Sequence, residues 1–245
     1  MTRPRPPFAL LLLLLLAGTA QAADDEKQDE PPWKFTVGRY GLSGGGEPAS
    51  TALDLNLRNT SSLGNAWIGW YGENRDGPHQ WRAGWDNKFQ AGPVSVQPSV
   101  QIASGGFRGG SLYGEVGQDW FAGLGFGRTN LQPYINLNFD PNDMVMLQGG
   151  RRWDGNTATV LLVADNRQNP DQRHLHFNWK AERPGKEKLT LDLLAKRGLV
   201  DGELIRRIGF SATYDWPRWS LRAAWDPKVN FTARDMVRLS VAAKF

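Results

Sequence analysis

The chain ends on Met236-Val237-Arg238-Leu239-Ser240-Val241-Ala242-Ala243-Lys244-Phe245. Side chains of an extended strand point alternately to its two faces. Val237, Leu239, Val241, Ala243 and Phe245 therefore share an apolar face, and Met236, Arg238, Ser240, Ala242 and Lys244 share the opposite one. The same period of two runs upstream. Leu53, Leu55 and Leu57 alternate with Asp54, Asn56 and Arg58. Trp81, Ala83 and Trp85 alternate with Arg82, Gly84 and Asp86. Val94 to Ile102, Ile135 to Phe139, Leu175 to Ala181, Leu189 to Leu193, Ile208 to Tyr214 and Trp219 to Trp225 repeat it. Each run reads as a strand that is apolar on one side and polar on the other.

Turn-forming residues separate these runs: Asp76-Gly77-Pro78, Asp140-Pro141-Asn142-Asp143, Asp154-Gly155-Asn156, Arg183-Pro184-Gly185 and Asp215-Trp216-Pro217. After Trp33 no long stretch has helical periodicity, which argues against a parallel α/β sheet. Alternation alone allows two barrels, a soluble one with its apolar face inside and a membrane one with that face toward lipid. The terminal strand favours the second. An alternating strand ending on an aromatic residue, Phe245 here, resembles the last strand of bacterial outer-membrane proteins. That resemblance implies recognition by the barrel-insertion machinery and an outer-membrane location. Trp219 and Trp225 agree with it. They share a face roughly 20 Å apart along a strand, a separation that brings both rings toward the edges of an apolar band about 25 Å tall.

The expected fold is thus an all-β, antiparallel, up-and-down transmembrane barrel. A crossing strand needs about 10 residues, which gives about 14 strands, with about 12 or 16 as alternatives. A direct count of segments gives fifteen. Single-chain bacterial barrels have an even number, so one is surplus, and the glycine-rich stretch 104–130 is where the error is expected. The longest irregular pieces are expected at 43–50, 197–203 and 227–234. None is long enough for a separate domain, a long constriction loop or a plug.

Arg3 and Arg5, the apolar run Phe8 to Ala17 and the small-x-small site Ala20-Gln21-Ala22 form a secretory leader over 1–22. Residues 23–32 are charged and end in proline, a flexible periplasmic lead-in, and 33–245 form the barrel. Loss of Arg3 and Arg5 lowers the formal charge of +4 by two, too little for a nucleic-acid binder. Cys is absent, which excludes disulfides and thiolate metal sites. Mean hydropathy is low, −0.49, as expected when only alternate residues meet lipid.

The polar faces carry the candidate site. Pore-lining and solute-binding candidates are Arg58, Arg82, His174, His176, Lys180, Arg207, Arg218, Arg222 and Arg238, with Lys188 and Lys196 beside them. Asp54, Asp86, Asp192, Asp215 and Asp226 share those faces. Arginine can hold a carboxylate or phosphate with two parallel hydrogen bonds. At the level of class, an arginine-rich lumen resembles the small barrel porins for acidic oligosaccharides; no residue role carries over. Gly123, Gly125 and Gly127 face one side of a strand and lack the spacing of a nucleotide loop. His174-x-His176 places two imidazoles on one face, which default to polar lining with no catalytic or metal role.

The expected function is passive passage of small hydrophilic solutes, anionic ones favoured, without cofactor, metal or enzymatic step. Expected partners are outer-membrane lipid and lipopolysaccharide, the insertion machinery and the solute itself, and not nucleic acid. The alternatives are a lipid-modifying barrel enzyme of deacylase or phospholipase type, and a non-conducting barrel in an export or surface-assembly complex.

Overall fold

A computed structural model describes residues 31–74, 77–135, 137, 143–165, 167, 169 and 171–245. The expected leader over 1–22 and most of the expected lead-in over 23–32 lie outside them. Fourteen antiparallel strands form one sheet that closes on itself. They are β1 (Trp33–Gly44), β2 (Glu47–Ser61), β3 (Gly64–Glu73), β4 (His79–Asp86, resumed at Phe89–Ala91), β5 (Val94–Ala103), β6 (Phe107–Gly117) and β7 (Trp120–Thr129). Then follow β8 (Asp143–Trp153), β9 (Asn156–Asp165), β10 (Arg173–Arg183), β11 (Glu187–Val200), β12 (Glu203–Asp215), β13 (Trp219–Asp226) and β14 (Asp235–Lys244). The interruption of β4 at Asn87 and Lys88 leaves both pieces paired to β5, so they act as one strand.

Closure joins the first strand to the last, from Lys34↔Lys244 to Ser43↔Asp235. Trp33 and Phe245 exchange both backbone hydrogen bonds at 3.0 Å, so the terminal aromatic is part of the seam. Closure leaves the sheet with no free edge strand, the condition for backbone to cross hydrocarbon, although β13 pairs with only residues 210–215 of β12. Among the described residues no helix is long and apolar enough to do so.

Which face is apolar decides between the two barrels. Val237, Leu239 and Val241 of β14, Leu191 and Leu193 of β11, Ile208 and Phe210 of β12 and Leu124 and Phe126 of β7 all point outward and are exposed. Their neighbours on the other phase fill the interior. Monomeric soluble proteins expose apolar patches of only a few hundred Å²; a belt around the whole barrel requires lipid. Aromatic residues rim the belt. Trp33, Trp120, Trp153 and Trp219 sit near the chain termini, and Trp70, Trp81 and Trp225 toward the opposite end. Trp219 and Trp225 thus approach the two edges of the band as expected.

The two ends differ. Connections at the end bearing the termini span two or three residues, such as the Asp154-Gly155 turn, whose φ of 41° and 71° suits a tight hairpin. The far end carries the long connections 130–142, 166–172 and 227–234. Outer-membrane barrels have short periplasmic turns and longer outer loops, so the far end is the outer mouth.

Three expectations need correction. The stretch 104–130 contains two regular strands, β6 and β7. The surplus segment is Ile135 to Phe139: Ile135 and Leu137, its described members, lie outside any strand. The pieces 43–50 and 197–203 are mostly strand, closed by tight turns at Gly45-Gly46 and Asp201-Gly202. The longest connection is 130–142 instead.

Candidate functional site: the lumen

Asp54 on β2 is only 2% exposed and sits at mid-lumen. Register places it beside Gly38 of β1 and Tyr71 of β3. It accepts hydrogen bonds from Arg82 Nη2 at 2.8 Å, Arg238 Nη2 at 3.5 Å and Tyr40 Oη at 3.3 Å. The Arg238 guanidinium also lies 4.9 Å from the Tyr40 ring centre, near enough for cation–π attraction. One carboxylate thus serves two guanidiniums. Arg222 on β13 adds a third to this level, and its Nε has no hydrogen-bond partner among the described residues. The local balance is positive.

The histidine pair lies next to this group. Their rings are 5.7 Å apart on the lumen side of β10. His176 Nδ1 is 2.9 Å from Asp192 Oδ1 of β11, and His174 is buried against Phe231, ring centres 5.2 Å apart. Among the described residues no group of three or more potential ligands could hold a metal. Arg222, Arg238, both histidines, Asp192 and Asp226 line a cavity of about 230 Å³, with Leu137, Val229 and Asn230 also on its wall. Such a cavity offers guanidinium and imidazole donors to an anion beside two acids, of which Asp226 is engaged by Lys196.

Those last wall residues come from connections that fold inward at the outer mouth. Gln80 on β4 is 3% exposed and clamps Ile135. The Ile135 N–H donates to Gln80 Oε1 at 2.9 Å, and Gln80 Nε2 donates to the Ile135 carbonyl at 3.2 Å. Ile135 and Leu137 pack against Tyr40, Leu42, Ala52 and Tyr71, and Tyr134 stacks on Phe107 at 3.9 Å. The connection 227–234 enters from the opposite wall, with Phe231 buried against Val200 and Ile205. Arg234 then reaches Glu73 at 2.7 Å, a bond that raises the guanidinium pKa above its ordinary value. Two of the long connections thus narrow the mouth with apolar side chains.

Strand register puts Arg58, Arg82, His174, His176, Lys180, Arg222 and Arg238 on the lumen side. Arg58 lies 3.8 Å from Asp86 toward the terminal end. Arg207 has lumen phase but is exposed, and its Nη1 caps the Arg206 carbonyl at 2.9 Å. Arg218 lies in the exposed turn before β13, outside the lumen. The glycines at 123, 125 and 127 leave room for neighbours. A Cβ on Gly123 would meet Tyr113 Oη at 2.0 Å, and one on Gly125 would meet Met146 Cε at 2.5 Å. Sequence reasoning missed Gln80 and the inward connections. A polar residue one position from the strand start gives no sign of its distant partner.

No family model matches the chain, and no curated protein does. Solved structures share its fold. The Acinetobacter baumannii outer membrane protein Omp33 matches with a TM-score of 0.52 at 8% identity, covering 89% of this chain and 99% of that one. An engineered Rh. blastica porin matches with a TM-score of 0.45 at 9% identity, over 86% and 99%. The fold, with its apolar exterior, defines the class: an outer-membrane-type β-barrel.

Proposed function

We propose that the barrel is a passive conduit for small hydrophilic solutes that favours anions, with its selective level at Arg82, Arg222 and Arg238. The observation carrying this reading is the surplus of guanidinium over carboxylate around Asp54, with Arg222 left a free Nε. In a low-dielectric wall such a surplus raises the local concentration of anions and admits them selectively. A guanidinium offers a fork that a carboxylate or phosphate can enter and leave. Fourteen strands are enough to leave an opening where eight are filled by side chains.

The test is the reversal potential of the full-length barrel in a planar bilayer across a potassium chloride gradient. Discrete steps with chloride preferred over potassium are expected, and Arg222→Gln should reduce that preference. Cation selectivity, or a preference untouched by Arg222→Gln, overturns the reading. A second reading, a non-conducting structural barrel, is favoured by the apolar contacts of Ile135, Leu137 and Phe231 at the mouth. It requires folded protein to remain electrically silent even with Gln80 substituted. The alternative of a lipid-modifying enzyme needs a hydroxyl, an imidazole and an acid together on the outer face. The side chain of His79, the histidine on that face, makes no hydrogen bond among the described residues.

A further inference from the structure

The outer wall carries a row of arginines that the lumen reading does not use. Arg173 pairs directly with Arg197, and Arg197 with Arg206. All three side chains are exposed and share the phase of the lipid-facing residues. Below them lie Leu175, Ala195 and Ile208, then Phe177, Leu193 and Phe210, then Trp179, Leu191 and Ala212, each set in register across β10, β11 and β12. The arginine row caps these apolar rows on the side of the outer mouth. Like charges directly opposite one another destabilise a sheet. Among the described residues none of the three forms an ion pair, so no described carboxylate offsets that repulsion.

The same residues line a groove of about 840 Å³. Arg173, Arg197 and Arg206 stand with Leu175, Ile208 and Trp225. The groove exists because β13 pairs only with residues 210–215 of β12, leaving the upper part of that strand, including Arg206, without a neighbour on that side. One wall of the groove is thus cationic and another apolar, an arrangement suited to a ligand with an anionic head and a hydrocarbon tail.

We propose that this groove binds a phosphorylated lipid of the outer leaflet, with a phosphate between Arg173, Arg197 and Arg206 and an acyl chain against Leu175, Ile208 and Trp225. Charge complementarity selects the head, since three forked donors stand side by side with Lys196 and Arg207 in a groove whose one lining carboxylate, Asp235, already accepts from the Lys228 N–H at 2.9 Å. Position selects the lipid. The row sits at the boundary of the apolar band, where headgroup phosphates of the outer leaflet lie, and the apolar rows continue along the path of its chains. The site is on the outer wall and does not depend on whether the lumen conducts.

Native mass spectrometry of the folded full-length barrel in detergent micelles tests the proposal, with three probes: phosphorylated lipid A, dephosphorylated lipid A and inorganic phosphate. The phosphorylated lipid should bind, the dephosphorylated one about tenfold or more weakly, and inorganic phosphate should not displace the lipid. Combining Arg173→Ala, Arg197→Ala and Arg206→Ala should weaken phosphorylated lipid by about tenfold or more, the scale of one lost charge-assisted hydrogen bond. Should that variant fail to fold, Arg197→Gln alone should still give a several-fold loss. Equal binding of both lipid forms, undiminished binding by the folded variants, or full displacement by inorganic phosphate would each overturn the assignment. Bilayer conductance of the same variants should match the parent, which separates this site from the lumen.

Discussion

Replacing Gln80 by Leu removes both hydrogen bonds that hold Ile135 in the lumen while keeping the volume of the side chain. The two bonds, 2.9 and 3.2 Å long, are made by a residue 3% exposed. Each is worth about 1 kcal/mol net, so the closed position of this connection loses about 2 kcal/mol, a factor of about 30 in the opening equilibrium. The Ile135 amide would then lack its donor–acceptor partner in a largely apolar setting, which adds to the loss. The chain contains no cysteine, so Leu137→Cys creates a single probe whose own effect is common to both backgrounds. With a charged maleimide added to folded protein, the Leu137→Cys label should appear about 30-fold faster when Gln80→Leu is also present. Equal rates in the two backgrounds would refute the clamp, as would a barrel whose thermal stability collapses, because the substitution should act on the connection alone.

Other substitutions test the remaining parts. Asp54→Ala leaves Arg82 and Arg238 without their shared carboxylate and should destabilise the barrel by about 3–5 kcal/mol in urea titrations in vesicles; Asp54→Asn should cost less because it keeps a hydrogen-bond acceptor. Leu193→Arg places a charge in the middle of the outer apolar rows and should cost about 2–4 kcal/mol in the same titration, whereas Gln101→Arg on the lumen phase, opposite Gly84 and Gly109, should be nearly neutral. Gly150→Ala would set a Cβ 2.4 Å from the Ala158 carbonyl, and slower, less complete folding into vesicles is expected by electrophoretic mobility.

The barrel was legible because each wall strand faces lipid on one side and the bore on the other. Leu189 to Leu193 and Val237 to Phe245 write that environment as a strict alternation. Ile135 to Phe139 has the same alternation for a different reason: Ile135 and Leu137 are half-buried inside, between β4 and the Tyr40 cluster. A short periodic run is silent on whether its apolar side meets lipid or lumen, and the tertiary partner decides. Glycine blurred 104–130 for an equally local reason. Gly123 and Gly125 give space to Tyr113 and Met146 across the strand pair, and a missing side chain contributes nothing to a pattern.

At the lumen, Arg82, Arg222, His176 and Arg238 share the inward phase of their strands because strand phase persists over a whole run. It could not show that Asp54 joins Arg82 to Arg238, which depends on register between β1, β2, β4 and β14. Arg218 shows the limit, since phase extends past the strand end into a turn that leaves the bore. Arg173, Arg197 and Arg206 carried a usable signal that went unread. Each shares the phase of Leu175, Ala195 or Ile208, so each breaks the apolar face at the same end of three successive strands.

Cysteine scanning along β11 and β12 tests the central claim that water fills the bore and lipid surrounds the wall. In vesicle-embedded protein, Thr190→Cys, Asp192→Cys and Thr213→Cys should react with a charged, membrane-impermeant reagent, while Leu191→Cys, Leu193→Cys and Ala212→Cys should resist it and react with a lipid-soluble one. The reverse pattern, or protection of both sets from the charged reagent, would contradict an aqueous conduit.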